Sequence, residues 1–174
     1  MNDTDPLTTD CSKCAALCCI ALAFDQGRKF AFSKNSGEPC RNLSGHRCVI
    51  HSTLINGGFS GCVAYDCLGA GNRVVQDVFS GQSWRQEPRL IGPMMEAFAT
   101  MRDVHKRIDL LRVADSFALG HDAQQTCTQL LARLEDQRWD ENTLKEFHHG
   151  LAVEIDMFMF KLKDDLPASL LDAV

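Results

Sequence analysis

The stretch Cys11-Ser-Lys-Cys14-Ala-Ala-Leu-Cys18-Cys19 sets the reading of the whole chain. It places four cysteines in nine residues, and Cys40, Cys48, Cys62 and Cys67 follow at wider intervals. Only Cys127, of nine cysteines, lies beyond this region. Soft thiolates at such density suit zinc, an iron–sulfur cluster or Cu(I), and not magnesium or calcium. With about 100° per residue on a helix, positions 11, 14 and 18 fall within about 60° of one another. A short apolar helix from Cys11 to Phe24 is therefore expected to put three thiols on one face. Cys19 lies about 80° further round, so either it serves a second site or the helix starts late and leaves Cys11 in a loop.

Whether these cysteines bind metal or form disulfides depends on the compartment. The opening Met-Asn-Asp-Thr-Asp-Pro is acidic, unlike the basic start of a secretory leader. The longest apolar run, Ala15 to Phe24, is about half the length of a membrane span. The expected location is the cytoplasm, with no membrane partner, and there thiols stay reduced and dense cysteines read as metal ligands. The net charge of −5 on 174 residues argues against nucleic acid as a partner, because that grip needs clustered Lys and Arg.

All eight clustered cysteines, Cys11, Cys14, Cys18, Cys19, Cys40, Cys48, Cys62 and Cys67, are candidate metal ligands, enough for two four-coordinate sites. Spacing alone does not partition them. Gly61 precedes Cys62, where glycine lets the backbone turn tightly enough to aim a thiolate. Lys13, Arg28, Arg41 and Arg47 lie close in sequence and are expected to offset thiolate charge. His51 stands at ligand spacing from Cys48, but with eight thiols present it is expected to support a ligand or lie on the surface. His46 and Asp66 are weaker candidates. The ferredoxin cysteine runs, the base-deaminase Pro-Cys-x-x-Cys and the His-Glu-x-x-His of zinc proteases are absent, and Gly69-x-Gly71 is too short for a dinucleotide loop. No residue is singled out as catalytic.

The chain changes character near position 88. Residues 1–88 hold eight basic and eight acidic residues, most of the glycines and the turn signals Asn35-Ser36-Gly37, Glu38-Pro39 and Asn56-Gly57-Gly58. So broken a segment needs a staple, and metal would be one. Residues 89–174 hold ten basic and fifteen acidic residues and read as three amphipathic helices. Pro93 suits a helix start, followed by Met94, Phe98, Met101, Val104, Ile108 and Leu111 at spacings of three and four. Gly120 reads as a stop, and Asp122 as the cap of a helix with Ala123, Cys127, Leu130 and Leu134 inside. The third helix is expected to start at a Thr143–Glu146 capping box or one turn earlier at Asp140. Its stripe is Leu144, Phe147, Leu151, Ile155, Phe158 and Leu162, with Pro167 beyond its end. Met157 to Phe160 reads as core, and His148-His149 as solvent-facing. Cys127 reads as a buried small hydrophobe.

The order Cys-x-x-Cys-x-x-x-Cys-Cys, then Pro39-Cys40-Arg-Asn-Leu43, Cys48-Val-Ile-His51 and Gly61-Cys62, resembles the cysteine-cluster family of zinc- or iron-chelating proteins. The resemblance spans roughly residues 11–67 and implies metal binding, with related flagellin lysine methylases associated with an iron–sulfur cluster. The stretch from Gly58 to Cys67, followed by Gly69-Ala-Gly71, also looks like a variant that precedes pentapeptide repeats in some bacterial proteins; no such repeats occur in this sequence. His51 stands where the family often has tyrosine, Gly58-Phe59 replaces an Arg-Pro pair, and Cys67 is extra. Taken together, the expectation is a mainly α protein. An irregular metal-binding module over 1–88 would pack on a helical hairpin or bundle over 89–174 as one compact unit. Its expected cofactor is zinc or an iron–sulfur cluster, held without catalysis in a structural, storage or delivery role. The alternative is an iron–sulfur-dependent enzyme or accessory subunit in group or electron transfer. The acidic helical half offers a face for a protein partner.

Overall fold

The structure is a computed structural model describing residues 5–163, so Pro167 lies outside the described residues. Helices dominate, and one short two-stranded sheet accompanies them. Two compact units divide the chain, Met1–Arg102 and Asp103–Val174.

In the first unit the expected long opening helix does not form. Cys11–Lys13 makes a single 3-10 turn capped by Asp10, whose carboxylate accepts from the Ser12 N–H. Cys14 is extended, and Ala16 adopts a left-handed φ of 55°. Only then does helix α1, Leu17–Ala21, begin. The late start anticipated as the alternative is the one realised, so Cys11 and Cys14 lie outside the helix. Leu17 and Ile20 point inward and are fully buried.

The segment after α1 folds back onto its C-terminal end. Four of its groups donate there: Gly37 N–H to Ile20 O (2.9 Å), Lys34 Nζ to the same oxygen (3.2 Å), Ser36 Oγ to Ala21 O (2.7 Å) and Cys40 N–H to Cys19 O (3.0 Å). These bonds satisfy carbonyls that a helix end otherwise leaves without partners. Strands β1 (Leu43–Ser44) and β2 (Arg47–Cys48) then pair antiparallel through the turn at Gly45, with Leu43 opposite Cys48. Helix α2, Ser60–Val63, carries Cys62. It lies against an aromatic group in which Phe24 and Phe30 stack at 4.4 Å and Phe32 meets Phe59 edge-on at 4.9 Å. Helix α3, Ala70–Arg73, runs on into a π turn at Val74–Val78.

Helix α4, Ile91–Asp115, follows a 3-10 turn headed by Pro88 and starts two residues before Pro93. Pro93 is tolerated there because first-turn N–H groups have no helical partner. The expected stripe is buried at all six positions: Met94, Phe98 and Met101 belong to the first unit, and Val104, Ile108 and Leu111 to the second.

In the second unit α5, His121–Glu135, returns along α4, with Cys127 Sγ donating to Leu111 O at 3.3 Å and Arg112 pairing with Glu135 at 2.7 Å. Gly120 is the residue preceding α5, in extended conformation. Asp122 lies exposed in the first turn instead of capping it. Asp140 caps α6, Glu141–Phe147, accepting from the N–H groups of Asn142 and Thr143 while Thr143 Oγ1 accepts from the Asp140 N–H. The third expected helix is in fact two, because the chain turns at His148–Gly150 before α7, Leu151–Leu162. Both histidines are exposed in that turn. Met157 and Phe160 do not join the core: they are 57% and 77% exposed, since the inner face of α7 is taken by Ala152, Ile155 and Leu162. Among the described residues, no helix is long and apolar enough to cross a membrane.

Candidate metal centre

All nine cysteines are free thiols, and the eight candidate ligands all belong to the first unit. Three sets of contacts hold the segments that carry them. The stretch Thr8–Lys13 is tied to residues 66–76: Asn72 accepts from the Asp10 N–H and donates to Thr8 O, and Gln76 donates to Lys13 O. Thr9 Oγ1 donates to Asp66 and accepts from the Gly69 N–H, and it lies 3.7 Å from the sulfur of Cys67. Cys11, Cys14 and Cys67 are thus carried by one hydrogen-bonded patch. The fold-back onto α1 sets Cys40 beside Cys19. Trp84, buried, donates to Ala15 O at 2.7 Å and fixes the chain between Cys14 and Cys18.

Two glycines permit close approach. A Cβ on Gly71 would lie 2.6 Å from the Cys14 sulfur, so only glycine lets α3 pass so near it. A Cβ on Gly61 would strike the Phe30 ring, its two Cε atoms 2.7 Å away. Gly61 therefore serves packing against Phe30, and not the tight turn expected of it, because it lies inside α2.

The Cys18 thiol is pushed up, first by the side-chain hydrogen bond with Cys19, then by burial and by the charge of Cys19. Burial raises Cys11 and Cys14, the latter to about 12, and each also feels Cys18 and Cys67. Burial likewise raises Cys48 and Cys62, and here the neighbours are Cys40 and Cys18, with Cys48 also acting on Cys62. Backbone N–H groups pull the other way: those of Leu17 and Ala16 face the Cys14 sulfur, and that of Ile50 faces Cys48. The left-handed Ala16 turns these amides toward Cys14, and an N–H aimed at sulfur favours the thiolate. As the thiols stand, among the described residues no group of three or more His, Cys, Asp or Glu side chains is gathered closely enough to hold an ion. The donors share a neighbourhood without enclosing a point.

Of the expected counter-charges, Lys13 pairs with Asp10 at 3.4 Å, Arg41 stacks 4.1 Å over Phe32, and Arg28 and Arg47 are exposed. A buried cation on the segment that returns onto α1 is Lys34, which sequence reasoning passed over. It is 4% exposed, and its ammonium donates to Ile20 O, Asn35 O and Glu38 O at 3.2, 2.9 and 2.8 Å. Burial lowers its pKa, and the negative charge of Cys40, Cys19, Glu38 and Cys18 opposes that shift. His51 lies exposed on the 3-10 turn His51–Thr53. His46 is occupied by Ser83, Nε2 to Oγ 2.6 Å, and burial lowers its pKa. Asp66 caps a turn by accepting from the Leu68 N–H. Tyr65 was also passed over: its hydroxyl is buried, makes no hydrogen bond, and feels the charges of Cys67 and Cys18.

No protein-family model matches the chain. No solved structure matches it either. A protein of Bacillus subtilis (strain 168) described as uncharacterized protein YybG is 39% identical over 132 residues, which cover 74% of this chain and 47% of that protein. The chain thus spans about half the length of this relative.

Proposed function

We propose that the first unit is a thiolate metal centre of a cytoplasmic protein, holding zinc or an iron–sulfur cluster in a non-catalytic, structural or delivery role. The observation that carries this reading is eight free thiols in one unit, on segments that the Thr8–Lys13 contacts with residues 66–76 and the return of the chain onto α1 hold together. A disulfide framework would consume these groups; a soft metal would use them. Cys19 and Cys40 are tied together, the Cys19 carbonyl accepting from the Cys40 N–H at 3.0 Å.

Thiols held protonated by burial release protons when metal binds, and the ion supplies the attraction that draws them together. Four thiolates around a divalent ion leave excess negative charge, which the buried Lys34 ammonium is placed to offset. A closed all-thiolate site leaves no open position for a substrate, hence the non-catalytic reading.

Anaerobic purification followed by absorption and metal analysis tests it. Broad absorption near roughly 400 nm would mean a cluster, and colourless protein with stoichiometric zinc a structural site. Cys14→Ser and Cys18→Ser should lose metal, because a hydroxyl is a poor ligand for a soft ion, while His51→Ala should keep it. Equal loss from His51→Ala and Cys18→Ser would replace the all-cysteine assignment with a mixed one.

A further inference from the structure

Helix α7 is apolar nearly all round, its polar residues being Glu154, Asp156 and Lys161. Such a helix belongs between two layers, yet the second unit covers one side of it. Ala152, Ile155 and Leu162 are buried there. On the opposite side Val153, Met157 and Phe160 fall within about 60° of one another, at about 100° per residue. They are 47%, 57% and 77% exposed. Ion pairs rim this stripe on both flanks: Asp156 with Arg107 of α4 at 2.8 Å, and Glu154 with Arg133 of α5 at 2.6 Å. Beside the stripe, between α5 and α7, runs an open groove of about 380 Å³ whose lining includes Ala123, Leu130, Met157, Phe158 and Lys161. An exposed apolar patch with a polar rim marks a docking surface.

We infer that this face binds a second copy of the chain, with α7 antiparallel to its counterpart about a two-fold axis near Met157. Two features argue for a copy of itself as the occupant. A two-fold contact needs one surface to offer both a projection and its receptacle. Here Phe160 projects, and the groove along α7 is there to receive it. The charge order is also self-complementary. Glu154 lies in the first turn of α7 and Lys161 in the last, on the same flank of the stripe, with Met157 about midway. An antiparallel pair therefore sets Lys161 of each copy beside Glu154 of the other. Arg133 engages Oε2 of Glu154, whose side chain stays 52% exposed, and Lys161 has no ion-pair partner among the described residues. The patch spans one helix of about 18 Å, so the dimer is weak and concentration-dependent. It involves the second unit alone and stands apart from the metal reading.

Sedimentation equilibrium of the full chain tests it, with reductant present to keep the exposed Cys11 and Cys62 from cross-linking. A reversible monomer–dimer equilibrium is expected, with a dissociation constant of about 10–100 μM. Phe160→Lys should raise that constant by about tenfold or more, because it replaces the projecting ring with a charge. Phe160 is exposed, so circular dichroism of that variant should match wild type. Glu154→Lys and Lys161→Glu should each weaken the dimer by about threefold or more, since the axis repeats the pair. Combined in one chain they should restore it, because the pair is then reversed across the axis. Wild type that stays monomeric at about 200 μM, well above the expected constant, would overturn the inference. So would a dimer indifferent to Phe160→Lys, or one that the double charge variant does not restore. In a monomer, peroxide oxidation of Met157 would name the true occupant: protection would assign the face to residues 164–174, and rapid oxidation would leave it to a foreign partner.

Discussion

Gly61 has no side chain, and the packing around Phe30 says what adding one would do. A Cβ there would lie 2.7 Å from Cε1 and Cε2 of Phe30, whereas ordinary contact begins at 3.4 Å, so the ring must retreat. It cannot retreat freely, because Phe24 stacks on it at 4.4 Å and Phe24 in turn meets Phe59 at 6.4 Å. An aromatic pair is worth about 0.5–1.5 kcal/mol beyond its buried area. Overpacking a formed core costs about 1–3 kcal/mol. Alanine returns about 1 kcal/mol of helix propensity, less in a helix as short as α2. Gly61→Ala should thus destabilise the first unit by about 1–2 kcal/mol. Gly92, in the first turn of α4 with nothing within 4 Å of an added Cβ, is the control. Gly92→Ala should stabilise by about 0.5–1 kcal/mol. Urea unfolding followed through Trp84 and by circular dichroism measures both. If the two variants shift the midpoint equally and upward, the argument that Phe30 excludes a side chain at Gly61 is wrong.

The other expectations concern the thiols. Cys127 is fully buried and donates to Leu111 O, so Cys127→Ala should cost about 1 kcal/mol in thermal or urea unfolding and leave metal content unchanged. Burial pushes its pKa from 9.0 up to about 11, so the folded state favours the protonated thiol. That contribution is complete below pH 9.0 and is lost as pH rises toward about 11. Wild type should lose stability across that window more steeply than Cys127→Ala, and parallel curves would contradict the assigned burial. Chelation should strip amide protection from residues 11–67 and spare α5–α7, whose cores are apolar; unchanged protection after complete metal removal would uncouple metal from folding.

The helices were legible where burial repeats along one face, as at Met94, Phe98, Met101, Val104, Ile108 and Leu111. The break at His148–Gly150 was not, because Leu144, Phe147, Leu151 and Ile155 keep helical spacing across it; the one local sign was Gly150. The exposed Met157 and Phe160 were misread for a related reason, since apolar residues all round a helix do not say which face is covered. In the first unit cysteine identity announced the donors, but not their arrangement. That depends on Ala16 taking a left-handed turn, which nothing about alanine signals. Lys34 and Tyr65 were invisible because long-range folding buries them: the return of residues 34–40 onto α1, and the passage of α4 carrying Arg102 over the Tyr65 ring.

The central claim is that the eight cysteines between positions 11 and 67 hold a soft metal, and elemental analysis of the anaerobically purified chain tests it most directly. Zinc, or iron with inorganic sulfide, is expected at whole-number stoichiometry per chain, together with protection of most thiols from a thiol reagent until the metal is removed. Folded protein that carries neither metal, refuses both on reconstitution and leaves these eight thiols open to the reagent would contradict it.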